Sequence, residues 1–129
     1  MSLLLLRCAA ATLFGFSGLT KAVFFQDAVA EFAALNLSVF VLVATIAVQS
    51  VGAFLLAVGH FSRIAALGLA GFTLVATLVA HPVWTSANGF DLRQTTVFLE
   101  HLVIIAALGV IVAQGSGRFT LFSHPDPRF

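Results

Sequence analysis

The 129-residue sequence predicts an all-α fold: an integral membrane four-helix bundle with both termini on the cytoplasmic side. Composition is the first observation behind this. The chain is 60% apolar and only 9% charged, whereas soluble domains are nearer half apolar and a quarter charged. Its fourteen Phe and mean hydropathy of +1.11 exceed what a chain this size could bury in one core in water. The second observation is that four apolar segments reach the ~20 helical residues needed to cross a bilayer core about 30 Å thick. The third is that these runs do not alternate in polarity. Lipid forbids open sheet edges, and barrel strands would alternate, so β-branched stretches such as 39–43 read as helix.

The first span is placed at residues 3–25. It reads as a retained helix because the apolar stretch continues past Arg7. Arg7 also stands where a lipoprotein signal ahead of Cys8 would need a small residue. The second span is placed at 37–59, the third at 64–84 and the fourth at 95–114. They are joined by 26–36, by His60-Phe61-Ser62-Arg63 and by 82–94, with a polar tail from Gly115. No linker divides the chain, so residues 1–129 form a single membrane domain. Arg7, Arg63, Arg118 and Arg128 then share one side of the membrane, with Lys21 and Arg93 on the other. Basic residues favour the cytoplasm, which places both termini there.

Several functions are excluded or disfavoured. Six basic against five acidic residues leave no electrostatic footprint for nucleic acid. The single Cys8 rules out an intrachain disulfide, a CxxC pair and a cysteine-rich metal site. No HExxH-like ligand spacing is present, so no metal site is expected. Ser/His/Asp catalysis has no elbow motif to stand on.

Polar groups inside spans are costly, at about 2.5–3.5 kcal/mol per charge on insertion scales, and so mark candidate sites. Arg7 and Lys21 lie about 40° apart around the first helix, with Ala11, Phe14 and Gly18 on the same face. That is a face packed on other helices, or two bases snorkelling to opposite interfaces; Arg7 fits the snorkelling reading better. Gln49 sits mid-span with Thr45 and Gly52 near its stripe, suited to an interhelical hydrogen bond or a ligand contact. His81, one turn below Trp84, can ligate metal or haem, move protons, bind a quinone carbonyl, or bond carbonyls freed by Pro82. Glu100 and His101 diverge by about 100°, so they cannot face one partner. Glu100 matches Lys21 in expected depth, which makes Lys21–Glu100 the candidate structural ion pair. Two histidines, His81 and His101, in the same half raise bis-histidine haem ligation, but a pair of unknown rotational phase argues against haem.

In this order the residues resemble the DoxX family of small four-helix membrane proteins. The resemblance begins with Arg7 and Phe14-Gly15-Phe16-Ser17-Gly18-Leu19-Thr20-Lys21. It continues through Gly52-Ala53-Phe54-Leu55-Leu56-Ala57-Val58-Gly59 and Arg63-Ile64-Ala65-Ala66-Leu67, then His81-Pro82-Val83-Trp84. Phe98-Leu99-Glu100-His101-Leu102 and Gly115-Ser116-Gly117-Arg118-Phe119-Thr120-Leu121 complete it. Gln49 stands where many members carry Glu, Val83 where the motif has Phe, and Glu100-His101 where a Lys-Asn pair is common. The resemblance implies a multi-pass protein of the bacterial inner membrane, attached to an oxidoreductase or respiratory system.

The function this suggests is an inner-membrane subunit of a quinone-linked or redox-stress system, with a quinone-like ligand or a partner redox protein. Whether the chain is itself an enzyme stays open. The candidate polar cluster is Lys21, Gln49, His81, Trp84, Glu100 and His101. A lone cysteine cannot do dithiol chemistry, so a membrane or peripheral partner would supply the redox centre. The alternatives are a non-enzymatic scaffold or assembly subunit, and a small carrier or channel working as a homo-oligomer.

Overall fold

The computed structural model describes residues 2–85, 89 and 91–121. Arg128, placed above on the cytoplasmic side, lies outside the described residues. The described residues form five α-helices: α1 (Ser2–Val23), α2 (Phe25–Ala34), α3 (Val39–Val58), α4 (Ser62–Ala80) and α5 (Leu92–Gln114). A 3₁₀ turn, Val83–Thr85, follows α4. Among the described residues there is no strand. Among the described residues four helices, α1, α3, α4 and α5, are long and apolar enough to cross a membrane.

Helix ends follow local chemistry. Asp91 caps α5 by accepting from the Arg93 and Gln94 amides, so the helix starts at Leu92, earlier than the apolar run predicts. Ser38 caps α3 in the same way through Val41. Gly59 closes α3 with φ +77°, a left-handed conformation that costs glycine little. The third span ends at Ala80, short of Trp84, because Pro82 cannot continue the helix.

α2 is a correction to the expected 26–36 connection. Phe25, Val29 and Phe32 recur at helical spacing, and Asp27 lies in the first turn, where it complements the helix dipole. Ten residues are too few to cross the bilayer, so α2 links α1 to α3 at one end of the bundle.

α1 packs along α3 and α4 along α5, while α3 joins α4 and α1 meets α5 over a shorter stretch. A core of Phe14, Ala53, Leu56, Ala65, Ala66, Leu69, Leu108 and Ile111 fills the half of the bundle nearer the termini. Phe16, Leu19, Phe40, Phe54, Leu67 and Val103 are exposed, as suits side chains whose solvent is lipid. At Gly52 the Leu69 side chain of α4 packs directly on α3: a Cβ there would lie 2.8–2.9 Å from it.

Arg7 does not snorkel. It is 1% exposed, at the C-terminal end of α3. Nε donates to Leu56 O at 3.0 Å and Nη2 to Ala57 O at 3.4 Å. Nη1 reaches Ser116 O and Phe119 O. The last four carbonyls of α3 lack partners within the helix, and every one is satisfied. Leu55 O accepts from Gly59 N and His60 N, and Val58 O from Leu121 N. Arg7 takes the two between. The negative end of the helix dipole and the four carbonyls stabilise the buried cation; no carboxylate pairs with it among the described residues. Arg63 reaches α5 in a similar way, Nη2 to Ala113 O at 3.4 Å.

Candidate functional site

The half of the bundle away from the termini holds a cavity of about 570 Å³. Its walls are mostly apolar and come from all five helices, with Phe32 and Leu35 at the α2 end and Val41, Val48, Phe72, Val79 and Ile104 along the sides. The polar groups on its surface are Ser17, Lys21, Glu31, Thr45, Gln49, Thr73, His81 and His101.

These fall on two walls. On α1 and α3, Lys21 Nζ donates to Ser17 Oγ at 2.7 Å, and Ser17 Oγ donates to Gln49 Oε1 at 3.3 Å. Lys21 also approaches Ser17 O at 3.4 Å. Helical spacing explains the first pair, because residues four apart share a face. The second follows from the close packing of α1 on α3.

On the α4 and α5 side, His81 and His101 stand edge to face, with ring centroids 5.5 Å apart. His101 Nδ1 lies 2.9 Å from Thr77 Oγ1, and His81 Nδ1 lies 2.7 Å from Gln94 Oε1. Thr77 in turn bonds Thr73 O at 2.6 Å, and Thr73 bonds Leu69 O at 2.7 Å. Both threonines are buried.

The structure thus brings Lys21, Gln49, His81 and His101 of the expected cluster to one cavity. It does not bring Trp84 or Glu100 there. Trp84 is exposed and its ring meets Phe98 edge to face at 6.4 Å. Glu100 is exposed too. The candidate Lys21–Glu100 ion pair is absent: Lys21 is held by Ser17, and the rotation that seats His101 against Thr77 turns its neighbour outward. The carboxylate that shares the cavity lining with Lys21 is Glu31 of α2, placed above in a connection. Ser17, Glu31, Thr73, Thr77 and Gln94 belong to the site or its support. Only the i, i+4 spacings Ser17–Lys21 and Thr73–Thr77 signal such pairing in the sequence.

Such a cavity, lined by apolar groups with a few convergent polar ones, is the usual form of a small-molecule site. Among the described residues, no group of three or more His, Cys, Asp and Glu is placed to hold a metal ion.

Neither a curated protein nor a solved structure matches the chain. The family model described as DoxX matches residues 2–82, which takes in α1 through α4. With that match and four long apolar helices, this chain belongs to the DoxX family and is a multi-pass membrane protein.

Proposed function

We propose that the cavity binds a lipid-soluble, quinone-like molecule, and that the protein serves as a subunit of a quinone-linked or redox-stress system in the bacterial inner membrane, with both termini cytoplasmic. The cavity supports this best: about 570 Å³ lies within the ~300–1,000 Å³ range of small-molecule sites. Its long apolar walls suit a ring and tail, and polar groups on two sides suit a head with two oxygens. Lys21 and Gln49 would bond one oxygen, and His81 and His101 the other. Cys8 is the only thiol, so the redox centre would come from a membrane or peripheral partner.

The test is purification in mild detergent from native membranes, with an absorption spectrum and mass analysis of what is retained. A bound quinone is expected, lost in Lys21→Met and Gln49→Leu. Absence of retained quinone, together with no saturable uptake of an added one, rejects the reading.

Glu100 favours a second reading, a scaffold role. It lies eight residues, about 12 Å of helix rise, beyond Leu92, exposed beside Leu99 and Val103. A carboxylate on an apolar face is costly in lipid and is satisfied by a basic group on a partner helix or a second copy. Co-purification of a larger complex that is lost in Glu100→Leu supports that role; an unchanged complex rejects it.

A further inference from the structure

We propose that the cavity has a donor wall and an acceptor wall, and that Thr77 and Gln94 set the acceptor wall by fixing the proton positions of His101 and His81. The site therefore prefers a phenolic hydroxyl head to the corresponding carbonyl form. The inference rests on the reading that the cavity takes a quinone-like ring, and says which redox form it holds.

The argument turns on single protons. Thr77 has one hydroxyl hydrogen, and Thr73 O, 2.6 Å away, can only accept. That hydrogen is therefore committed to Thr73. His101 Nδ1, 2.9 Å from the same hydroxyl, must be the donor. In the neutral ring the other nitrogen, Nε2, then carries the lone pair. His81 follows the same logic, because its Nδ1 faces the carbonyl oxygen of Gln94 at 2.7 Å. Neither Nε2 has a hydrogen-bond partner among the described residues. Both rings line the cavity, while Thr77, 1% exposed, stands behind His101.

The opposite wall has the reverse character. Lys21 gives one N–H to Ser17, whose hydroxyl is donated to Gln49 Oε1. That bond takes one of the two lone pairs of Gln49 Oε1 and turns the oxygen toward Ser17, while the amide N–H groups of Gln49, with those remaining on Lys21, are the donors of this wall. A quinone carbonyl only accepts, so it satisfies this wall and sets lone pair against lone pair at the histidines. A quinol hydroxyl both accepts and donates, and so satisfies both walls. Thr77 and Gln94 are positioning residues: they act through the histidines.

The test uses the full chain in nanodiscs, under anaerobic conditions, with a short-chain benzoquinone and its quinol as probes. The quinol is expected to bind about tenfold tighter or more, the cost of one buried acceptor left unpaired. His81→Phe with His101→Phe should bring the two affinities together while quinone binding persists. Nitrogen-15 NMR of His101 should show the Nδ1–H tautomer, and Thr77→Val should lose it and narrow the selectivity. Equal affinities, tighter quinone binding or an Nε2–H tautomer in the native protein would overturn the inference and leave the quinone reading standing. Binding of neither probe overturns both.

Discussion

Arg7 and Phe119 come from the two ends of the chain, yet Nη1 of the arginine donates to the phenylalanine carbonyl at 2.7 Å. The same guanidinium closes the C-terminal carbonyls of α3. Arg7→Leu removes the cation and leaves several buried acceptors unpaired, with an expected loss of about 3 kcal/mol or more. Reversible unfolding in mixed micelles measures it. Arg7→Lys should recover only part, because an ammonium lacks the planar fork that reaches carbonyls on two segments. Full recovery by lysine would mean that charge alone matters.

Gly59 faces that same guanidinium. Its φ is +77°, and a Cβ there would overlap Arg7 Nη2. Gly59→Ala should therefore combine backbone strain with displacement of the cation, costing about 2 kcal/mol or more. Gly68→Ala and Gly71→Ala are the controls: a Cβ at either meets nothing within 4 Å. Both should stay within about 0.5 kcal/mol of the native protein.

Gly52 sets the approach of α3 to α4. Gly52→Ala drives a methyl into Leu69, which is 1% exposed and has no room to swing away. The expected cost is about 1–3 kcal/mol. Adding Leu69→Ala opens the space, so the double variant should be more stable than the sum of the single losses predicts. Strict additivity in the same unfolding assay would show that the two residues do not constrain each other.

Lys21 and Glu100 carry opposite charges at similar expected depth, but the structure separates them. A double-mutant cycle with Lys21→Met and Glu100→Gln should give a coupling energy within about 0.5 kcal/mol of zero. The charge-swapped protein, Lys21→Glu with Glu100→Lys, should be no more stable than its single variants suggest. A coupling well above that range would restore the ion pair.

The four spans were legible because each is a long apolar run, and length in lipid admits only a helix. α2 was not: it is short, and Gln26, Asp27 and Glu31 give it the polarity of a connection, while its apolar side is only three residues deep. The divergence of Glu100 from His101 could be read from the helical angle alone. Which of the two would turn inward could not, because it depends on where α4 sits, and periodicity fixes a face without naming its neighbour. Arg7 shows the same limit. Its position near a helix end suggests an interface, whereas the carbonyls that bury it lie 49 to 112 positions away.

That reach has a consequence for the order of assembly. Arg7 enters the membrane with α1, but the carbonyls of Ser116 and Phe119 and the amide of Leu121 follow α5 in the chain. The charge on Arg7 is fully satisfied only when α5 has left the ribosome and the chain has folded back across the end of α3. Until then the nascent bundle carries a guanidinium with part of its hydrogen bonding still to be made. A chain halted before Ser116 would hold four spans and still lack the clasp that joins its first turns to its last.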